Sequence, residues 1–237
     1  MTTPTPAEKP EKTLWRACER SCFEEIRQVL EQQPEVDVNW ANSDCYDFTP
    51  LHIACTRGDA AAIAELLKHP KVDINRLDAN DMTPFMLSCQ VGRVKPLKVM
   101  LGDVRTNLNL FTPRGSTGLW YASCFGKLQA VMAIFASERD ISLTIKGKHY
   151  DGRMLTPAGI AAVNKQHELA RLLEQFEANP EKTRYESKMV LAQRGRFILC
   201  SWFFVVLFFS SIPLTFSSSL PHRVPVSPPV RLGGVHQ

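Results

Sequence analysis

The sequence predicts an all-α solenoid of about five stacked helix-turn-helix units with short β-hairpin loops, followed by a C-terminal stretch of different character. Three observations carry this. Thr49-Pro50-Leu51-His52-Ile53-Ala54-Cys55 returns 34 residues later as Thr83-Pro84-Phe85-Met86-Leu87-Ser88-Cys89, and 34 later again as Thr117-Gly118-Leu119-Trp120-Tyr121-Ala122-Ser123. Downstream positions keep the same step: Gly58, Gly92 and Gly126, then Leu66-Leu67, Met100-Leu101 and Ile134-Phe135. Short extended segments such as Val36-Asp37-Val38-Asn39 and Val72-Asp73-Ile74-Asn75 punctuate each period with turn formers.

Each element of the unit has a local reason. Thr caps the first helix through its hydroxyl, and Pro takes the first helical position, where its missing N–H costs nothing. Leu51, Ala54 and Cys55 then fall on one face, three and four residues apart. Gly58 permits the tight turn into the second helix, and Leu66-Leu67 give that helix its apolar side. One unit cannot bury its own faces, so stacking makes the core. Weaker copies flank the three clear ones. The first runs through Leu14, Ala17-Cys18, Ile26 and Val29-Leu30, and the last through Thr156-Pro157, Ala161-Ala162, Leu169 and Leu172-Leu173 after a longer loop.

Thr49-Pro50-Leu51-His52-Ile53-Ala54 with Gly58, Leu66-Leu67 and Val72-Asp73-Ile74-Asn75 resembles the ankyrin repeat. A similar period would suit tetratricopeptide repeats, but those lack Thr-Pro at the first helix. The resemblance covers residues 13–176, divided as 13–43, 44–77, 78–111, 112–150 and 151–176. Residues 1–12 read as a disordered N-terminus, and 177–196 as a charged helical linker in which Glu181 begins a helix-prone segment. Departures from the pattern are Met86 and Trp120 in the His slot, Gly118 for Pro, Pro96 in a second helix and Lys165 for the inter-helix Gly. Glu168, Arg171 and Glu174 suit the solvent face of a terminal cap.

No constellation in the sequence carries catalysis. Cys18, Cys55 and Cys89 share a slot the family fills with Ala and read as small buried side chains. Cys18-x-x-x-Cys22 has no second pair, so no zinc is expected. His52 lies three residues from Cys55 without an orienting third group, and the resemblance implies that it links neighbouring units. Gly115-Ser116-Thr117-Gly118 lacks the Lys of a phosphate loop and reads as a hairpin turn entering a helix. The expectation is a non-enzymatic protein without cofactor or metal.

Binding needs only varied side chains on a rigid frame. The resemblance implies a partner protein at the hairpin tips and on the concave face of the first helices. Those positions hold Tyr46, Phe48, Thr56 and Arg57, then Asn80, Met82 and Gln90, then Arg114, Ser116 and Phe125.

Composition restrains the function further. Of 28 basic and 24 acidic residues, two Arg and no acid lie beyond residue 196, so the body is almost neutral and nucleic acid is not expected. Seven thinly spread cysteines and a polar N-terminus without a signal-peptide pattern point to free thiols in the cytoplasm, and the chain is expected to be a monomer. The run of residues 197–216, from its first side chain Phe197 to its last, Phe216, is uncharged and follows Lys188, Arg194 and Arg196. It is the candidate transmembrane helix, with the repeat body on the cytosolic side. Ser210-Ser211, Pro213 and Thr215 weaken it, which leaves a buried, interfacial or aggregation-prone segment, or a misplaced exon boundary, as the other readings. Residues 217–237, rich in Ser and Pro, read as a disordered tail. Three functions compete: a free interaction scaffold, a tail-anchored adaptor, and a targeting subunit for an enzyme encoded elsewhere.

Overall fold

The computed structural model describes residues 9–194; the candidate membrane segment and the tail lie outside them. Eleven helices and one short hairpin follow one another among these residues. Helices α1 (Pro10–Arg20) and α2 (Phe23–Gln32) form the first unit, α3 (Pro50–Arg57) and α4 (Ala60–Leu67) the second, and α5 (Pro84–Val91) and α6 (Val94–Gly102) the third. The fourth is α7 (Gly118–Cys124) with α8 (Leu128–Ala136), and the fifth α9 (Pro157–Val163) with α10 (His167–Ala178). Strands β1 (Gly147–Lys148) and β2 (Met154–Leu155) pair antiparallel between α8 and α9, and α11 (Pro180–Arg194) ends the described chain. The mostly helical architecture is that of an ankyrin-repeat solenoid.

The periodic Thr residues start the first helices as the sequence predicts. Hydroxyls of Thr49, Thr83, Thr117 and Thr156 accept from the backbone N–H of His52, Met86, Trp120 and Gly159, three residues on. Asp59 caps α4, accepting from the N–H of Ala61 and Ala62 at 3.0 and 3.1 Å. Between the helices the chain turns through a left-handed residue: Ser21, Gly58, Gly92, Gly126 and Lys165 all have φ between 56 and 78°. At Gly58 the missing Cβ also makes room for the next unit. A Cβ there would lie 2.5 Å from Cδ of Arg93, whose guanidinium crosses the turn to donate to the Arg57 carbonyl at 2.6 Å.

First helices stack in one row, α1 on α3, α3 on α5, α5 on α7 and α7 on α9; second helices stack in another, α2 on α4, α4 on α6 and α6 on α8. Leu14, Leu51, Phe85 and Leu119 occupy equivalent buried slots in the first row, with Cys18, Cys55 and Cys89 fully buried beside them. Burial pushes the Cys55 thiol up to about 12 and raises those of Cys18 and Cys89 as well, so this column is inert apolar packing.

The second row ends differently. Helix α11 folds back and packs on both α8 and α10, while the rings of Phe135 and Phe176 stack at 3.8 Å. Thr183 and Ser187 are the small side chains buried at this contact, Arg184 lies 5.5 Å over the Phe176 ring, and Lys188 pairs with Glu138. The charged segment after residue 177 is thus docked on the solenoid over its described length. Among the described residues no helix is long and apolar enough to cross a membrane.

Candidate functional site: the hairpin edge and the first-helix face

Loops between units are tied in series by asparagines. Asn39 donates to the Lys71 carbonyl at 2.7 Å and accepts from the N–H of Asp73 at 2.8 Å. Asn75 repeats this with Arg105 and Asn107, and Asn109 with Asp140 and Ser142. Each amide takes the place of a ladder bond between successive loops, which fixes the spacing of the tips.

A second series runs through the His slot. His52 Nε2 lies 3.2 Å from the carbonyl of Met82, the residue before the next unit's capping Thr. Its Nδ1 receives the hydroxyl and backbone N–H of Thr49, which assigns the proton to Nε2. Burial lowers the ring to about 4, so it stays neutral and keeps that hydrogen-bond pattern. Trp15 and Trp120 stand in the same slot of the first and fourth units. Their indole N–H groups donate to the carbonyls of Phe48 and Leu155 at 2.8 and 2.9 Å, again immediately before a capping Thr. What looks like a departure from the motif is a replacement of one N–H donor by another. Met86 in the third unit has no N–H to give, so the matching carbonyl, that of Ser116, keeps only the hairpin bond from Thr112 at 3.1 Å, a bond the carbonyls of Phe48 and Met82 likewise accept from Asn42 and Asp78.

Upon this frame the candidate binding residues separate by slot. Tyr46, Asn80 and Arg114, spaced by the repeat and three residues before the capping Thr, are exposed at the hairpin tips. Tyr46 and Asp47 both have positive φ, 51 and 54°, the backbone of a type I′ turn that projects the Tyr46 side chain into solvent. The slot directly before the Thr behaves in the opposite way. Met82 and Ser116 are buried, 8% and 2% exposed, and Phe48 is half-buried and stacked on His52 at 5.7 Å. Met82 and Ser116, both among the expected contact residues, thus have their side chains in the packing of the frame. Both sit where the hairpin joins the helix: Met82 N–H is bound to Asp78 Oδ1, and Ser116 Oγ lies against Gly147 of the next loop. On the helix face, Thr56 and Arg57 are exposed, Gln90 is half-buried, and Phe125 shows 49% of its surface. The Thr56 hydroxyl is spent on the His52 carbonyl at 2.9 Å, and Arg57 reaches Glu19 of the first unit at 3.5 Å.

Exposed apolar groups near the hairpin tips that the motif did not single out include Leu77, Phe111 and Tyr150. Leu77 and Phe111 are themselves one repeat apart, a signal readable from spacing, whereas Tyr150 sits in the long loop that has no counterpart in other units. Tyr121, half-buried beside Trp120, has its ionisation pushed up by burial while feeling both Arg114 and Asp78. No group of three or more His, Cys, Asp or Glu side chains among the described residues is placed to hold a metal ion.

The ankyrin repeat family model matches residues 46–79, the second unit with its loops. An ankyrin repeat-containing protein of Schizosaccharomyces pombe is 30% identical over 125 residues, which are 52% of this chain and 52% of that protein. A tyrosine-protein kinase of Hydra vulgaris, HTK16, is 23% identical over 171 residues, 72% of this chain but 22% of the kinase. The chain thus spans about half of the first relative and less of the second. With the Thr-capped helix pairs, the left-handed turns and the in-phase ties between units, these matches make the chain an ankyrin-repeat protein.

Proposed function

We propose that the chain is a non-catalytic interaction scaffold, which holds a partner protein along its hairpin tips and first-helix face. Ankyrin repeats in general mediate protein–protein interaction, and one observation favours these surfaces in this chain. Side chains at the tip slot, Tyr46, Asn80 and Arg114, differ from unit to unit and face solvent, while the neighbouring slot of Phe48, Met82 and Ser116 is given over to packing. The tip side chains are therefore open to a partner, on a backbone braced by the asparagine series. We place the scaffold in the cytoplasm, as a monomer without cofactor.

The test replaces Tyr46, Asn80, Gln90 and Phe125 together by Ala in the full-length chain and compares affinity-captured proteins from cells. Thermal unfolding should stay within a few degrees, because each side chain is exposed or half-buried. The captured set should shrink to background. An unchanged set with unchanged unfolding would remove these surfaces from the reading.

A second reading adds a membrane tether. It is favoured by the twenty uncharged residues 197–216 that follow Lys188, Arg194 and Arg196. Alkaline carbonate extraction of the full chain should then leave it in the membrane pellet, and complete release to the supernatant would restrict the function to a free scaffold.

A further inference from the structure

The hairpin edge is segregated by charge. Loops of the second and third units carry Asp44, Asp47, Asp78 and Asp81 against Arg76. Those of the fourth and fifth carry Arg114, Lys146, Lys148 and Arg153 against Asp151. Asp151 is taken up by Arg153 at 2.5 Å and by the buried His149 at 3.0 Å. Arg114, Lys146 and Lys148 are all exposed, and no ion pair joins them to an acid among the described residues. The backbone brings the three together: Lys148 N–H donates to the Arg114 carbonyl at 2.8 Å, and the Lys146 carbonyl lies against Gly115.

Both poles act within their own field. The Asp78 carboxyl is raised first by burial and then by Asp81 and Asp47, so the acids repel one another across the two tips. The Tyr121 hydroxyl, held by Thr112 and Ser116, feels the charges of both Arg114 and Asp78 and so lies between the two poles. Exposed rings accompany the charges, Tyr46 at the acidic pole, Phe111 and Tyr150 at the basic one, with Tyr150 92% exposed. Aromatic side chains beside unpaired charges are the composition of a contact surface.

We infer that the tips of the fourth and fifth units bind an extended acidic segment of the partner protein, its carboxylates on Arg114, Lys146 and Lys148 and its apolar side chains on Phe111 and Tyr150. This rests on the scaffold reading and names the chemistry of its partner. A nucleic acid strand is disfavoured because a uniform polyanion that continued along the edge would meet Asp47 and Asp81. A second copy turned end for end would also match charges, and the sedimentation arm of the experiment separates that outcome.

The experiment uses the full-length chain and fluorescence anisotropy with three synthetic peptides of one length: Glu-rich with interspersed Phe and Leu, the same with Gln for Glu, and the same with Lys for Glu. The Glu peptide should bind, with affinity falling as salt rises, and the Gln and Lys peptides at least about tenfold more weakly. Arg114→Glu, Lys146→Glu and Lys148→Glu combined should lose at least about tenfold for the Glu peptide. Asp44→Lys, Asp47→Lys and Asp81→Lys combined should bind it as well or better, which separates a local site from net charge. Equal binding of Glu and Gln peptides, indifference to the basic-pole reversal, tighter binding of a single-stranded oligonucleotide, or a dimer in sedimentation that dissociates on that reversal would each overturn the inference. If partner capture from cells is lost with the four alanines but survives the basic-pole reversal, the scaffold reading stands and the acidic segment is wrong.

Discussion

The junction between the second and third units and the one between the third and fourth join the same kinds of helix by different means. At the first, Leu51 and Pro84 are ordinary repeat side chains, and the His52 imidazole adds a polar tie to the Met82 carbonyl. At the second, Met86 offers no donor in the His slot, and the polar ties run through the loops instead, by Asn109 and by the Arg139 guanidinium, which donates to the Asp103 and Thr106 carbonyls at 2.7 and 2.6 Å. Phe85 replaces the leucine of the pattern and reaches into the space of the next helix start, where a Cβ on Gly118 would lie 2.6 Å from its ring. Gly118 in the proline slot is therefore a consequence of Phe85. The helix start loses the preset φ of Pro, and the core gains an aromatic side chain. In this slot a repeat can do without the imidazole tie and carry more apolar volume, provided both neighbours change together.

The largest expected effect breaks the apolar junction. Phe85→Ala should cost about 3–5 kcal/mol in urea unfolding, since a ring that is 1% exposed leaves a cavity the rigid stack cannot close. A sharper version makes this junction resemble the other. Phe85→Leu and Gly118→Pro should each destabilise alone, the first by lost volume and the second by collision with the ring. Combined, they should cost less than their sum by about 1 kcal/mol. Strict additivity would show that Gly118 does not answer to Phe85.

How far sequence alone could go follows from the same contrast. Thr caps, the inter-helix glycines and the cysteine column were legible because each depends on contacts inside one unit or on a slot repeated at fixed spacing. Gly118 and Trp120 read as losses, because their meaning lies in a neighbour: Gly118 in Phe85, and Trp120 in the Leu155 carbonyl 35 residues away. The burial of Met82 and Ser116 is hidden from the sequence for a similar reason. A loop residue next to a helix cap looks exposed until the following hairpin is laid over it. Helix α11 carried little apolar periodicity to announce its docking, since Thr183 and Ser187 make the contact by being small. Arg184 and Lys188 then reach the loop after α8 from its rim.

The polar junction can be tested by pH. His52 titrates at about 6.5 when unfolded and at about 4 when folded, because burial disfavours the imidazolium. The unfolded chain thus binds more protons between these values, and stability must fall as pH falls through the window. Above pH 6.5 the neutral ring contributes in full; by pH 4 up to about 3 kcal/mol of that contribution is lost. His52→Gln removes the titrating group at a fixed cost, so it should be clearly less stable than the parent at pH 7.5 and approach it near pH 4. Equilibrium urea unfolding of both proteins at half-unit steps gives the difference directly, with carboxylates common to both cancelling. A difference that stays constant from pH 7.5 to 4 would mean that burial does not disfavour the charged ring, since protonation adds a hydrogen at Nδ1, against Thr49, and leaves the Nε2–H bond to Met82 in place. In that case the tie would be no more pH-sensitive than the indole bonds of Trp15 and Trp120, which have no proton to gain in this range.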